Sequence, residues 1–129
     1  MFTFFKKIFR RKTDAQKIGA LGEHIAENFL KKKGIKILER NWHHKHSEID
    51  IIALDGNCIV FAEVKTRSQN AKVSGYYVAA SRTKKSKVME GAKAYLKTVK
   101  PHPTTWRYDI LEVTLSDNKV VSVSHYQGI

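Results

Sequence analysis

The sequence predicts an α/β protein: a mixed β-sheet carried with helices, in the order α-β-β-β-α-β-β. Two stretches space apolar residues three and four apart, as helices do: Ile18, Leu21, Ile25 and Phe29, then Val88, Ala92, Tyr95, Leu96 and Val99. Between and after them lie short runs rich in β-branched and aromatic residues, bounded by turn signals. At 129 residues the chain is long enough for one core and too short for two.

Taken in order, residues 1–12 ("MFTFFKKIFRRK") form a basic aromatic N-terminal segment, set apart from a single domain over 13–129. The segment lacks the apolar stretch and cleavage site of a signal peptide, and a two-turn amphipathic piece binds membranes weakly. Packing of its aromatics on the domain is the plainer reading. The first helix starts at a cap on Thr13 or Asp14 and stops after Lys31, Lys32, Lys33 and Gly34. Gly19 and Gly22 inside it each cost about 1 kcal/mol relative to Ala, so this flank, which carries Glu23, is expected to approach a neighbouring sheet closely. Residues 35–42 read as the first strand, "WHHKHS" as a polar turn, and 47–68 as a hairpin. "VSGYYV" (73–78) reads as a weak strand or ordered loop, "SRTKKSKVMEGAKAYLKTV" as the second helix, and "WRYDILEVTL" and "KVVSVSHY" as two closing strands joined by "SDN".

Charge narrows the function. Lys and Arg number 24 against 12 Asp and Glu, a net charge of +12, which favours a polyanionic partner. The surplus is concentrated in residues 1–40 and 81–100, and the hairpin between them is neutral. The single cysteine, Cys58, excludes a disulfide framework and a thiolate zinc cluster and fits a reducing, cytoplasmic setting. No apolar run reaches the length of a membrane span.

The hairpin carries the chemistry. With a Gly56-Asn57 loop, facing residue numbers sum to 113. Asp50 then stands opposite Glu63, and Glu48 opposite Lys65. An Asp55-Gly56 loop, the stronger turn signal, shifts the pairs by two but keeps the faces, whereas a three-residue loop separates Asp50 from Glu63. Alternation sends Ile49, Ile51 and Ala53 one way with Val60, Ala62 and Val64, and Glu48, Asp50 and Ile52 the other way with Phe61, Glu63 and Lys65. Two adjacent carboxylates repel unless a positive group intervenes: either Lys65 or a hard divalent cation such as Mg²⁺ or Mn²⁺. A solvated face with ordinary cross-strand ion pairs is the competing account, and Phe61 and Ile52 on the same side weigh against it.

"EID" followed twelve residues after its Asp by "EVK" resembles the Asp…Glu-x-Lys core of the restriction-endonuclease-like nucleases. Together with "GALGEHIAENFLKKKGIKILERNW", "VFAEVKTRS" and "RYDILEV", it resembles the YraN-like family of predicted bacterial endonucleases, from about Lys17 to Val113. The resemblance implies a three-layer restriction-endonuclease-like fold related to Holliday-junction resolvases. It implies Asp50 and Glu63 as metal ligands with the Val64 carbonyl as a third, Lys65 acting on the attacking water, and Glu23 as an outer carboxylate. Lys84, Arg107 and Asp109 also match recurring family positions. The chain departs from the family pattern at Ser47, usually Gly, and from the broader motif at Ile49, often Pro.

Arg67, beside the "EVK", is a candidate phosphate contact, and Arg82, Lys84, Lys85 and Lys87 form a basic helix start suited to a nucleic-acid backbone or to plain solvation. Tyr76 and Tyr77 are candidates for base stacking or core, and Trp42 and Trp106 for core or rim. His43, His44 and His46 lack a partner that completes a zinc spacing, so a plain turn or a phosphate-facing loop is preferred. The leading expectation is a Mg²⁺- or Mn²⁺-dependent DNA endonuclease, with branched or repair-related structures among its substrates and a homodimer required for junction cutting. The rival readings are a nucleic-acid-binding module that keeps the fold without turnover, and a membrane-surface or partner-binding protein using the N-terminal segment.

Overall fold

The computed structural model describes residues 13–71, 76, 80–101 and 105–129. The segment 1–12, Tyr77 and most of 73–78 lie outside them; Tyr76, the described residue of that stretch, is helical and not strand. The elements are α1 (Asp14–Lys32), β1 (Lys36–His44), β2 (Ser47–Asp55), β3 (Cys58–Ser68), α2 (Arg82–Leu96), β4 (Thr105–Ser116) and β5 (Lys119–Tyr126). Their order is the expected one. The five strands form one sheet in sequential order, antiparallel except for β3 and β4. That parallel pair requires a crossover, which α2 supplies.

Thr13 caps α1. Its hydroxyl accepts from the Gln16 N–H at 3.2 Å, and its own N–H donates to Gln16 Oε1 at 2.9 Å, a reciprocal capping box. Gly34, with φ of 82°, ends the helix in a conformation that costs glycine little. Of the two interior glycines, Gly22 makes the close approach: a Cβ there would collide with the Thr66 hydroxyl of β3, whereas one at Gly19 would meet nothing within 4 Å. Only Gly22 therefore explains the helix-propensity cost.

Helices cover both faces of the sheet. Ala26 and Leu30 of α1 pack on Ile51, Ala53, Val60, Ala62, Val64, Leu111 and Val113. Val88 and Ala92 of α2 pack on Ile49, Ile52, Phe61, Tyr108 and Ile110. This three-layer arrangement removes the solvated-face account of the hairpin. Strand β1 runs on through His43 and His44 into what reads in sequence as a turn, because His44 stacks on Trp42 with ring centroids 6.0 Å apart and pairs with Ser47. Trp42 joins the α2-side core and Trp106 stands 42% exposed. Among the described residues, no helix is long and apolar enough to cross a membrane.

Candidate functional site

The hairpin register is the one the Gly56-Asn57 loop dictates: Asp55 pairs with Cys58 and Ile51 with Ala62, with Gly56 at φ 60° in the turn. The ladder then stops. Strand β2 leaves β3 and continues on β1 alone, pairing Ile49 with Trp42, Glu48 with His43 and Ser47 with His44. The expected facing pairs, Asp50 with Glu63 and Glu48 with Lys65, therefore both lie beyond the end of the ladder and are not formed in it. Glu48 lies on the β1 side, 3.8 Å from His43 Nε2, and takes no part in the site.

The parting coincides with a turnover of both strands. Asn41, bracketed by the Arg40–Ile51 and Trp42–Ile49 pairs, adopts a left-handed backbone with φ of 48°, which Asn tolerates better than most residues. On either side of it Arg40 reaches α1 while Trp42 packs with the α2 cluster. Likewise Ile51 belongs to the α1 core and Ile49 to the α2 core. Alternation alone assigns Ile49 and Ile51 to one face; the structure corrects that assignment.

Asp50 sits at the pivot and points into the gap. Its Oδ2 accepts the Val64 N–H at 2.9 Å, the donor that a continued ladder would have sent to Ile49. In an extended strand the N–H and C=O of one residue face the same neighbour. The Val64 carbonyl therefore opens toward this gap as well. Glu63, on the α2 face, has a side chain only 5% exposed, and its Oε1 lies 3.5 Å from Lys65 Nζ and 3.2 Å from Lys84 Nζ. Thus β3 contributes Glu63 and Lys65, β2 contributes Asp50, and the first turn of α2 contributes Lys84. Glu23, on α1, lines the same cleft as Asp50, of about 390 Å³, together with His24, Arg40 and Asn41.

Negative charge is in excess around Asp50. Burial, the Glu63 carboxylate and then Glu23 push its carboxyl up to about 7, against the Val64 hydrogen bond and Lys84, which favour the charged form. Tyr108, buried beside these groups, has its phenol pushed up by burial and then by the charges of Glu63 and Asp50. Sequence reading missed it because β3 and β4 are neighbours only through the crossover. Glu112 was missed for the same reason. It pairs with Lys65 across that parallel ladder, accepts the Tyr76 N–H at 3.0 Å and lies 3.4 Å from Arg67 Nε.

The other expected residues divide into two groups. Arg67 is held on the sheet, its Nε 3.4 Å from Thr114 Oγ1 and its Nη1 3.3 Å from the Ala71 carbonyl. Arg82, Lys85 and Lys87 stand with Lys84 on the N-terminal half of α2, Arg82 and Lys87 exposed and Lys85 half-buried. Arg107 and Asp109 fall outside the site. They lie on the α1 face of β4 with Asp55 and His125. Ser47 is buried: its hydroxyl donates to the Lys87 carbonyl at 2.7 Å, and a Cβ on Gly91 would collide with it. Ser47 thus ties the start of β2 to α2. Cys58 is a free thiol in the hairpin turn.

Could these residues hold a hard cation? Among the described residues no three His, Cys, Asp or Glu side chains converge as a preassembled cluster. A Mg²⁺-type ion that keeps most of its ligands as water and phosphate oxygens needs only one or two carboxylates. Asp50, Glu63 and the Val64 carbonyl are the groups that could supply such ligands.

Fold and site together define an α/β protein whose five-stranded mixed sheet opens between β2 and β3 around a carboxylate pair and two lysines. The profile of the uncharacterised protein family UPF0102 matches residues 22–113, and the chain belongs to this family, also called YraN-like. It is 36% identical over 112 residues to a UPF0102 protein of Mycolicibacterium vanbaalenii, covering 87% of this chain and 92% of the relative. It is 41% identical over 101 residues to a UPF0102 protein of Chlorobium phaeobacteroides (78% and 79% covered) and 39% identical over 110 residues to one of Caldanaerobacter subterraneus (85% and 89%).

Proposed function

We propose that this chain is a metal-dependent nuclease that hydrolyses DNA phosphodiester bonds within a restriction-endonuclease-like fold, using Mg²⁺ or Mn²⁺. The observation that carries the reading is the gap itself: the sheet opens where Asp50 and Glu63 meet, and Lys65 and Lys84 converge on Glu63 Oε1. A structural ion pair needs one lysine and no open strand edge.

Asp50, Glu63 and the Val64 carbonyl would hold the cation, and Glu23 adds negative charge from the α1 side. When bound, the cation polarises the scissile phosphate and acidifies the attacking water. Lys65, 3.5 Å from Glu63 and 32% exposed, orients that water and offsets charge developing on the phosphoryl oxygens. Arg82, Lys85 and Lys87 track the phosphate backbone along the start of α2, a term that weakens as salt rises. Branched or repair-related DNA is the proposed substrate class, with two copies pairing to cut two strands.

The test is cleavage of labelled single-stranded, duplex, flap and four-way-junction DNA in Mg²⁺ or Mn²⁺, with the wild type beside Asp50→Ala. Metal-dependent cutting that falls to background in the variant is the expected result. If both proteins bind DNA alike and neither cuts any form, the chain is a nucleic-acid-binding module that keeps the fold without turnover.

A further inference from the structure

One oxygen, Glu63 Oε1, faces two ammonium groups from different elements, Lys65 of β3 at 3.5 Å and Lys84 of α2 at 3.2 Å. The carboxylate is 5% exposed, while both lysines keep about a third of their surface in water, 32% and 34%. A buried carboxylate requires a counter-charge, and one lysine meets that need. The second is not required by Glu63 itself, and it competes for the oxygen that a divalent cation would take.

The two lysines differ in what else they can reach. Lys65 is fixed two residues along the same strand as Glu63, on the same face. Lys84 stands in the first turn of α2, among Arg82, Lys85 and Lys87, and at the positive end of the helix dipole. A polyanion arriving on this helix start meets Lys84 directly. We infer that Lys84 is an exchangeable counter-ion of Glu63: it occupies the carboxylate in the free protein and is drawn away by nucleic-acid phosphate, so that nucleic acid and divalent cation bind with positive coupling. The inference rests on the reading of Asp50 and Glu63 as cation ligands and adds the residue that links the two binding events. Linkage makes the effect reciprocal: whatever factor DNA adds to cation affinity, the cation adds to DNA affinity.

The experiment is Mn²⁺ binding followed by electron paramagnetic resonance, without and with a short DNA duplex. It compares the wild type, Lys84→Gln, Lys85→Gln and Asp50→Asn, each first checked for a single cooperative thermal transition. Lys85→Gln removes the same charge one residue along the same helix and controls for the general field. The expected result is that Lys84→Gln binds Mn²⁺ at least roughly fivefold tighter than the wild type without DNA, the low end of usual coupling. DNA then enhances Mn²⁺ binding less than in the wild type, and Lys85→Gln changes little. If Lys84→Gln binds Mn²⁺ no tighter than the wild type, or no tighter than Lys85→Gln, Lys84 is a fixed structural partner and the inference is overturned. If Asp50→Asn binds Mn²⁺ as well as the wild type does, the cation-site reading itself fails, which separates the two failures.

Discussion

Two aspartates of this sheet are treated in opposite ways, one buried on the α1 face of β4 and one half-buried at the gap between β2 and β3. Asp109, fully buried on the α1 face, has every lone pair addressed: His125 Nε2 at 2.8 Å, the Gly128 N–H at 3.0 Å and Arg107 Nε at 3.0 and 3.1 Å. Burial pushes its carboxyl up, but these bonds from His125, Gly128 and Arg107 together hold it below the usual carboxylate range. Among the described residues Asp50 accepts one backbone hydrogen bond, from Val64, and burial with two neighbouring carboxylates pushes it up to about 7. A carboxylate that the fold needs is satisfied by the fold. One left in excess marks the place where an outside cation would complete the charge balance.

The Asp109 network continues outward. A carboxylate only accepts and an ammonium only donates, so His125 carries its proton on Nε2 and accepts from Lys33 Nζ, 2.9 Å away, through Nδ1. The network thereby ties β4, β5, the end of α1 and the residues after β5. Arg107 also meets Asp55 at 3.0 Å, and its Nη2 is buried without a hydrogen-bond partner. Removing Asp109 leaves that guanidinium half-compensated. The largest effect expected is therefore Asp109→Ala: a loss of about 3–5 kcal/mol in urea denaturation, the usual result of breaking a buried pair from one side. A loss below about 1 kcal/mol would mean that the network contributes little and that the contrast between the two aspartates does not hold.

Asp50 should respond the other way. Its folded value, about 7, lies above the ordinary aspartate value of 3.8. Between those values the folded state holds a proton that the unfolded state has released. Stability contributed by the protonated form is thus complete below about 4 and declines as pH rises toward 7. Asp50→Asn keeps an acceptor for the Val64 N–H and removes the charge. The variant is expected to be more stable than the metal-free wild type at pH 8 by about 2 kcal/mol, since a pKa unit is worth roughly 1.4 kcal/mol and Asp50 keeps some contact with solvent. The difference should vanish near pH 4. Equal stability of the two proteins at pH 8 would remove the argument that charge is in excess at the gap.

The fold was legible because its signals are local. Helix periodicity and the Thr13 cap each lie within a few residues and set the element order, whereas the sequence leaves the hairpin loop open and the Gly56-Asn57 turn is the one that forms. That register brings Asp50 and Glu63 within electrostatic reach without pairing them in the ladder. What could not be read arises from non-local packing. Nothing local in the sequence announces that Asn41 turns over, that β2 leaves β3 at Asp50, or that Ile49 and Ile51 face opposite cores. Strand alternation presumes an unbroken ladder, and the site exists because the ladder breaks. Tyr108 and Glu112 come beside the site through the parallel β3–β4 pairing, and the contact of Lys84, itself a sequence candidate, with Glu63 comes through α2; both depend on the crossover. Arg107 and Asp109 lie close in sequence to site neighbours such as Tyr108, yet they belong to the opposite face.

The smallest effect tests whether the cleft wall belongs to the satisfied class or the excess class. Glu27, a neighbour of Asp50 in the cleft, is clasped by Arg40 through both guanidinium contacts, one of them Nε to Oε2 at 2.7 Å, and by Lys31 at 3.0 Å. The Arg40 hydrogen bonds, opposed by burial and joined by Lys31, lower it to about 2. The sign is that of Asp109: the stability it contributes is present above the ordinary glutamate value of 4.5 and is lost as pH falls toward 2. Glu27→Gln is therefore expected to lower the thermal midpoint at pH 7 by less than Asp109→Ala does, because Arg40 is 56% exposed and water screens the pair. Below about pH 3 the gap should close. A Glu27→Gln protein that is more stable at pH 7, as Asp50→Asn should be, would place Glu27 with the carboxylates in excess and extend the cation site along the α1 wall of the cleft.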